Sequence, residues 1–290
     1  MANTIALAKN YTSILDEVYK KASVTADLTS DNTMVRAGAN ANEIVYPQIS
    51  VSGLGDYDRN SGYTNGSVNL EWKTATFNYD RGTKISVDVM DNEESRDIAF
   101  TMAGSELMRT KVAPEADAFV FATLAGKTGI SKATPATYAD ATAFLTALIE
   151  AKNTMDEDEV PEEGRILYAT PTLLNGVMAL DTTKSREVLA TFSKTVKVPQ
   201  SRFYTAIDLL DGKTSGEEAG HYAKASTGKD INFMIVHKPA VIKFDKHTAS
   251  DIIPASANAN ADADISKYRK YGIVDVYDNK VAGIYLSHKA

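Results

Sequence analysis

The stretch "GDYDRNSGYTNGSVNLEWKTATFNYDRG", residues 55–82, is the feature that most limits how this chain can fold. It holds the only tryptophan, Trp72, and an Asn65-Gly66 pair flanked by polar and aromatic residues. In "SVNLEWK", Val68, Leu70 and Trp72 alternate with Asn69, Glu71 and Lys73. In "KISVDVM", Ile85, Val87 and Val89 alternate with Ser86 and Asp88. Period-two alternation predicts half-buried strands, and residues 44–89 read as β. Asn-Gly is the preferred signal for a two-residue type I′ turn, so residues 53–80 are expected to form two strands paired around Asn65-Gly66, with the turn at Asn65 or a few residues away. Each strand would reach ~40–45 Å at about 3.3 Å per residue. A compact body of this length is only about 50 Å wide.

A two-stranded ribbon is marginal on its own in water. It also offers unpaired backbone edges. Folding back onto its own core is one way to stabilise it. The tip half, "DYDRNSGYTNGS", has almost no aliphatic residue to bury. Tyrosine, arginine and tryptophan are the residues that protein interfaces favour. The weight therefore falls on packing against another molecule. The candidate intersubunit contacts are Asp56, Tyr57, Asp58, Arg59, Tyr63, Asn65, Gly66, Trp72 and Arg81.

Residues 1–45 read as an arm with one short helix, in which Ile14, Leu15, Val18 and Tyr19 recur at helical spacing. Such a tail needs a docking surface to become ordered. After the ribbon a long helix is expected over about 90–126. Asp91 followed by Glu94 marks its start, Pro114 should kink or break it, and Gly126 is its stop. A unit of alternating helices and strands follows over about 135–235. "DATAFLTALIEAKNTM" is an amphipathic helix, "MDEDEVPEEG" a solvated connection, "RILYAT" a buried strand, and Pro171 opens the helix "PTLLNGVMAL". "INFMIVHKPAVIKFD" is strongly apolar, and "IPASANANADADIS" reads as a low-complexity surface loop. "YGIVDVYDNKVAGIYL" reads as a terminal hairpin turning at Asp278-Asn279-Lys280.

Composition narrows the chemistry. The formal charge is −7, from 31 basic and 38 acidic residues, with no dense Lys/Arg patch. Tight nucleic-acid recognition needs many cationic contacts, so only non-specific proximity to nucleic acid is compatible. The chain has no cysteine, which removes disulfides, thiolate metal sites and thiol nucleophiles together. The opening "MANTIALAKNYTSILDEVYKK" has neither the basic region nor the apolar run of a signal peptide, and no stretch has the ~20 apolar residues of a membrane helix. There is no phosphate-binding loop, dinucleotide fingerprint, nucleophile elbow or HExxH. His221, His237, His247 and His288 stand apart. An isolated imidazole makes neither a triad nor a zinc site, so His237, between "MIV" and "KPAV", is expected to be a buried, hydrogen-bonded structural residue. The "DEDE" at 156–159 lacks the ligand spacing of a calcium loop and reads as a solvated charge run. No catalytic, metal or cofactor residue is assigned.

The order of parts then becomes familiar. "GLGDYDRNSGY" followed by "DRGTKISVDVMDNEES" resembles an extended loop running into a long helix, and "VAPEADAFVFATLAG" resembles the end of that helix. "VPEEGRILYATPTLLNGVM", "VKVPQSRF" and "INFMIVHKPAVIKFDK" resemble the strand–helix entry and later segments of a central domain. Together, over nearly the whole chain, they resemble the major capsid proteins of tailed bacteriophages with the HK97-like fold. The resemblance implies an α+β fold with an N-terminal arm (1–45), an extended β-hairpin loop (46–89), a peripheral domain with a long spine helix (90–134 and 236–270) and an axial α/β domain (135–235 and 271–290).

The resemblance also implies a structural protein rather than an enzyme. Its copies would form pentamers and hexamers that close into an icosahedral head around packaged double-stranded DNA. It would be located in the virion and assembled in the host cytoplasm. A portal protein is implied as a partner. A separate scaffolding protein is implied too, because the sequence starts directly at the arm. An encapsulin-like cellular shell of the same fold is the nearest alternative. A surface-binding module, or an enzyme with carboxylates scattered along the chain, are more distant ones.

Overall fold

A computed structural model describes residues 23–30, 36–37, 42–60, 62–94 and 104–290. In chain order these carry β1 (Arg36–Ala37), β2 (Glu43–Val51), β3 (Val68–Thr76), β4 (Tyr79–Asp88), α1 (Val89–Glu94), α2 (Ala113–Gly126), β5 (Ser131–Lys132), α3 (Ala141–Glu157) and β6 (Arg165–Ala169). There follow α4 (Pro171–Leu180), α5 (Thr183–Ala190), β7 (Lys194–Lys197), β8 (Ile207–Leu209), β9 (Tyr222–Lys224), β10 (Ile231–His237), β11 (Val241–Ile253), β12 (Ala263–Val276) and β13 (Ile284–His288). The helical repeat expected at residues 14–19 lies outside the described residues, as do Ile98 and Met102 of the long helix.

A mixed sheet ordered β5-β13-β10-β6-β7 forms the centre. Its strands "RILYA" and "INFMIVH" are buried along their whole length. Continuous apolar runs are what strands covered on both faces require. On one face Ile166, Tyr168, Met234 and Val236 share a core with Val120, Phe121 and Leu124 of α2. On the other, Leu167, Ala169, Phe233 and Ile235 share a core with Phe144, Leu148 and Met155 of α3 and Leu174 and Val177 of α4. Asp140 caps α3 by accepting a hydrogen bond from the Ala143 amide at 2.8 Å.

The long helix differs from expectation at two points. α1 starts at Val89, where the carboxylate of Asp88 accepts from the Met90 amide at 2.9 Å. Asp91 sits inside the first turn instead of capping it, because β4 runs unbroken to Asp88 and makes that residue the junction. The break expected at Pro114 takes a particular form. Residues 104–107 are α-helical, Met108–Val112 form a π-helical turn, and α2 begins at Ala113 with Pro114 in its first turn. Proline donates no hydrogen bond and crowds the carbonyl one turn back. A wider turn placed before it accommodates both effects without ending the helix. The helix stops at Gly126, as expected.

A second sheet, β11-β12-β4, joins the end of the ribbon to the late strands. β12 pairs with β4 from Ala263↔Asp88 to Gly272↔Tyr79, and with β11 along its other edge. This corrects two expectations. The low-complexity segment is a loop only as far as Asp262, and its "ADIS" opens β12. The terminal hairpin does not form: both edges of β12 are taken by β11 and β4, so β13 crosses by a 3₁₀ turn at Asp278–Gly283 and pairs with β10 and β5.

His237 is buried, as expected, and bonds to the Glu163 backbone, with burial holding its imidazole below the ordinary value. The acidic run is less idle than it reads. Asp156 lies 2.7 Å from the guanidinium of Arg165, whose side chain is buried and also donates to the carbonyls of Pro161 and Val160. Among the described residues no group of three or more His, Asp or Glu is arranged to hold a metal, and no helix is long and apolar enough to cross a membrane. Removing one partner of a buried charge pair leaves the other uncompensated. Asp156→Asn is therefore expected to cost about 2 kcal/mol in urea unfolding, half-discounted because Asp156 is itself solvated. Asp158→Asn, on the exposed side of the run, should stay within about 0.5 kcal/mol of the parent.

Candidate intersubunit interface

The ribbon is built from β2 and β3, which pair antiparallel from Glu43↔Thr76 to Val51↔Val68. The ladder closes at Ser52, whose amide donates to the Ser67 carbonyl at 2.9 Å, and whose hydroxyl accepts from the Ser67 amide at 2.8 Å. Beyond it both limbs run on to a small turn. There Asp58 and Gly62 exchange backbone hydrogen bonds of 3.2 and 2.7 Å, and Gly62 takes the left-handed conformation (φ 81°) that glycine tolerates. The chain thus reverses at 58–62, and Asn65-Gly66 lies on the returning limb. The strand opposite β3 is "EIVYPQISV", not the expected 53–64. An Asn-Gly pair makes a two-residue hairpin only when the residues on both sides can pair. Residues 53–64 offer no alternation, whereas 43–51 do. Pro47 fits this strand because, among the described residues, its outer edge is paired only at Ile44 and Val45.

Residues directly opposite in an antiparallel pair share a face. One face of the ribbon carries Val45/Thr74, Pro47/Trp72, Ile49/Leu70 and Val51/Val68. The other carries Ile44/Ala75, Tyr46/Lys73, Gln48/Glu71 and Ser50/Asn69. At its root the second face is buried: Ile44, Tyr46 and Ala75 form a core with Ile242 and Ile273 of the second sheet, and Tyr46 meets Tyr277 edge-on at 4.9 Å. Further out that face is polar, where Glu71 is held below the usual carboxylate range by hydrogen bonds from Asn69 and Lys73. The first face stays apolar to the end of the ladder and lies open to solvent. Ile49 is 65% exposed, Val51 70%, Val68 68%, Leu70 54% and Trp72 46%. Leu54 just beyond is fully exposed. Exposed apolar strips of this kind are candidates for interaction surfaces.

Of the residues proposed from sequence, Asp56, Tyr57, Asp58, Arg59, Tyr63, Asn65 and Gly66 all lie in the exposed end loop, where the Tyr57 and Tyr63 rings meet at 4.8 Å. Trp72 lies on the apolar face instead. Pro47, Ile49, Val51 and Leu54 were missed. The alternation of 43–51 was the signal for the first three.

Arg81 belongs elsewhere. It sits on β4, and its Nε donates to Glu115 of α2 at 2.7 Å, while Nη2 reaches the Leu210 and His221 carbonyls at 2.8 and 3.1 Å. The Tyr79 hydroxyl donates to the same carboxylate at 3.3 Å, and the His221 ring lies 3.5 Å away. One guanidinium thus ties the strand leaving the ribbon to the long helix and to the β8–β9 loop. Burial would raise the Glu115 carboxyl, but the His221 and Arg81 donors outweigh it, and the group is held below its usual 4.5. A carboxyl depressed in the folded state contributes stability above its unfolded value and loses it as pH falls through the folded one. Arg81→Met is expected to cost about 3 kcal/mol at pH 7 by urea unfolding. The deficit should shrink below about pH 4, as Glu115 takes up a proton. A deficit independent of pH would contradict this reading of the joint.

No protein-family model matches the sequence, and no curated protein matches it. Solved structures do. The asymmetric unit of the bacteriophage PhiM1 mature capsid aligns with a TM-score of 0.68 at 14% identity, covering 97% of this chain and 91% of that one. The capsid structure of cyanophage P-SCSP1u aligns with 0.63 at 15% identity, covering 97% and 92%. The crystal structure of a virus-like particle from Pyrococcus furiosus aligns more distantly, with 0.50 at 8% identity, covering 83% and 86%. The resemblance read from the order of sequence segments holds at the level of the fold: this chain has the mixed α+β fold of phage capsid structures.

Proposed function

We propose that this chain is a major capsid protein of the HK97-like type, a structural subunit rather than an enzyme. In this reading its copies assemble as pentamers and hexamers into an icosahedral head that encloses double-stranded DNA. The observation that carries it is the apolar face of the ribbon, where Ile49, Val51, Val68 and Leu70 are each more than half exposed, on a fold whose solved examples include mature phage capsids. Residues 46–89 are the extended loop and 1–45 the arm. Residues 90–134 with 236–270 form the peripheral domain, and 135–235 with 271–290 the axial domain. The ribbon, with its end-loop residues Asp56 to Gly66 and with Trp72, lies on a second copy. A separate scaffolding protein, a portal and non-specifically held DNA complete the partners, with assembly in the bacterial cytoplasm. Arg81 serves the assembly from within, by fixing the angle at which the ribbon leaves the body.

The likeness to the Pyrococcus furiosus particle favours one second reading, an encapsulin-like cellular shell of the same fold. The two differ in content. Purified particles that protect double-stranded DNA from nuclease support the phage head, and particles carrying a single co-purified protein support the cellular shell.

Electron microscopy of the chain, alone and co-expressed with neighbouring gene products, tests the common core of both readings. Closed particles are expected, and a chain that stays monomeric throughout would overturn it. Deleting residues 56–70 should leave a folded body that cannot close shells. Trp72→Ala should reduce the yield of sedimenting particles about tenfold or more, as buried aromatic anchors do at interfaces. Lys73→Ala, on the opposite face, should change it less than about threefold.

A further inference from the structure

Asp117, in the middle of α2, is completely buried, yet it bonds to residues more than ninety positions away. Its carboxylate accepts from the Ser23 hydroxyl at 2.8 Å, from the Val24 amide at 3.1 and 3.0 Å, and from the Thr25 amide and hydroxyl at 3.1 and 2.8 Å. Arg202 closes the set at 2.9 Å. From the opposite side the ammonium of Lys243, in β11, donates to the Thr25 carbonyl at 2.6 Å and reaches its hydroxyl at 3.2 Å. Leu28 then enters the core beside Phe121 and Leu124, and Ser30 pairs with the backbone of Val241 and Lys243.

Two charged side chains from separate elements, Asp117 and Lys243, thus converge on three consecutive residues of the arm, and Arg202 holds Asp117 from behind. Without Ser23, Val24 and Thr25, Asp117 would keep Arg202 alone, and Lys243 would lose both acceptors. Leaving buried charges so poorly bonded is strongly unfavourable. Burial first, and nearby Lys270 second, push the Lys243 ammonium down to about 8. The cluster therefore has the character of a binding site shaped for a short peptide. It asks for two successive amide N–H groups flanked by hydroxyls.

We infer that Asp117 and Lys243, with Arg202 positioning Asp117, form a peptide seat that binds residues 23–25 of the same chain and clasps them to the long helix. The seat is filled in cis, in each copy separately, so it does not depend on contact with a neighbour. It fixes the position of Ser23 against the body. Any movement of the long helix carries that point with it. This inference stands apart from the shell reading, since it concerns contacts within one chain.

Amide hydrogen exchange on the full-length protein tests it. A peptide covering 23–30 should be protected in the parent. Thr25→Val keeps the shape and removes the hydroxyl, and should speed exchange there about tenfold, the effect of losing a charge-assisted hydrogen bond. Thr25→Ser keeps the hydroxyl and should stay within about threefold of the parent. Protection of Phe144–Met155 in α3 should be the same in all three. Asp117→Asn should loosen 23–30 at least as much as Thr25→Val. An unprotected 23–30 in the parent would overturn the clasp, and so would equal exchange in the Val and Ser variants.

Discussion

A two-stranded ribbon has no second layer. Whatever apolar surface it carries on both faces, its own body can cover only the part that lies against it. Here the body covers the root of one face, where Ile44, Tyr46 and Ala75 meet Ile242 and Ile273. On the opposite face Ile49, Leu70, Val51 and Val68 are exposed. At roughly 25 cal/mol per Å² of apolar surface, covering such a strip is a substantial driving force for association. The shape of the rest follows from that requirement. The ribbon must be held at a fixed angle for the strip to find its partner.

The holding is done by long-range contacts. β4 continues the ribbon's return strand into the β12 ladder. The side chain of Asn78, at the corner, accepts from and donates to the backbone of Val274 at 3.1 and 2.8 Å. Arg81 then ties β4 to Glu115 on the long helix. Two residues further on, about half a helical turn, the same helix uses Asp117 to bind Ser23, Val24 and Thr25. The ribbon and residues 23–25 are thereby both tied to one helix, which packs its apolar side chains on the central sheet. The π-helical turn before Pro114 lies immediately upstream of these two carboxylates.

Much of this was legible in the sequence, for local reasons. Strict alternation gave β3 and β4, continuous apolar runs gave β6 and β10, and Pro171 and Gly126 marked helix ends correctly. The order of segments pointed to the fold as a whole. What failed depended on partners distant in the chain. Asn65-Gly66 has the chemistry of a tight turn, but the register is set by which strands alternate, and that placed the reversal at Asp58–Gly62. The last two strands looked like a hairpin because they are neighbours in sequence, whereas β12 had no free edge left to offer. Arg81 looked like an exposed contact because a sequence shows its charge and not Glu115 opposite it. Asp117, Arg165 and Arg202 are buried charges whose partners only the fold brings together, and no spacing rule finds them.

The claim that the ribbon's apolar face is covered by a second copy has a built-in reporter, since Trp72 is the only tryptophan and lies on that face. Its emission, and its quenching by acrylamide, can be read in the unassembled chain and in assembled particles at equal protein concentration. Covering the strip predicts a shift to shorter wavelength and a marked loss of quenching on assembly. Identical emission and quenching in the two states would contradict it.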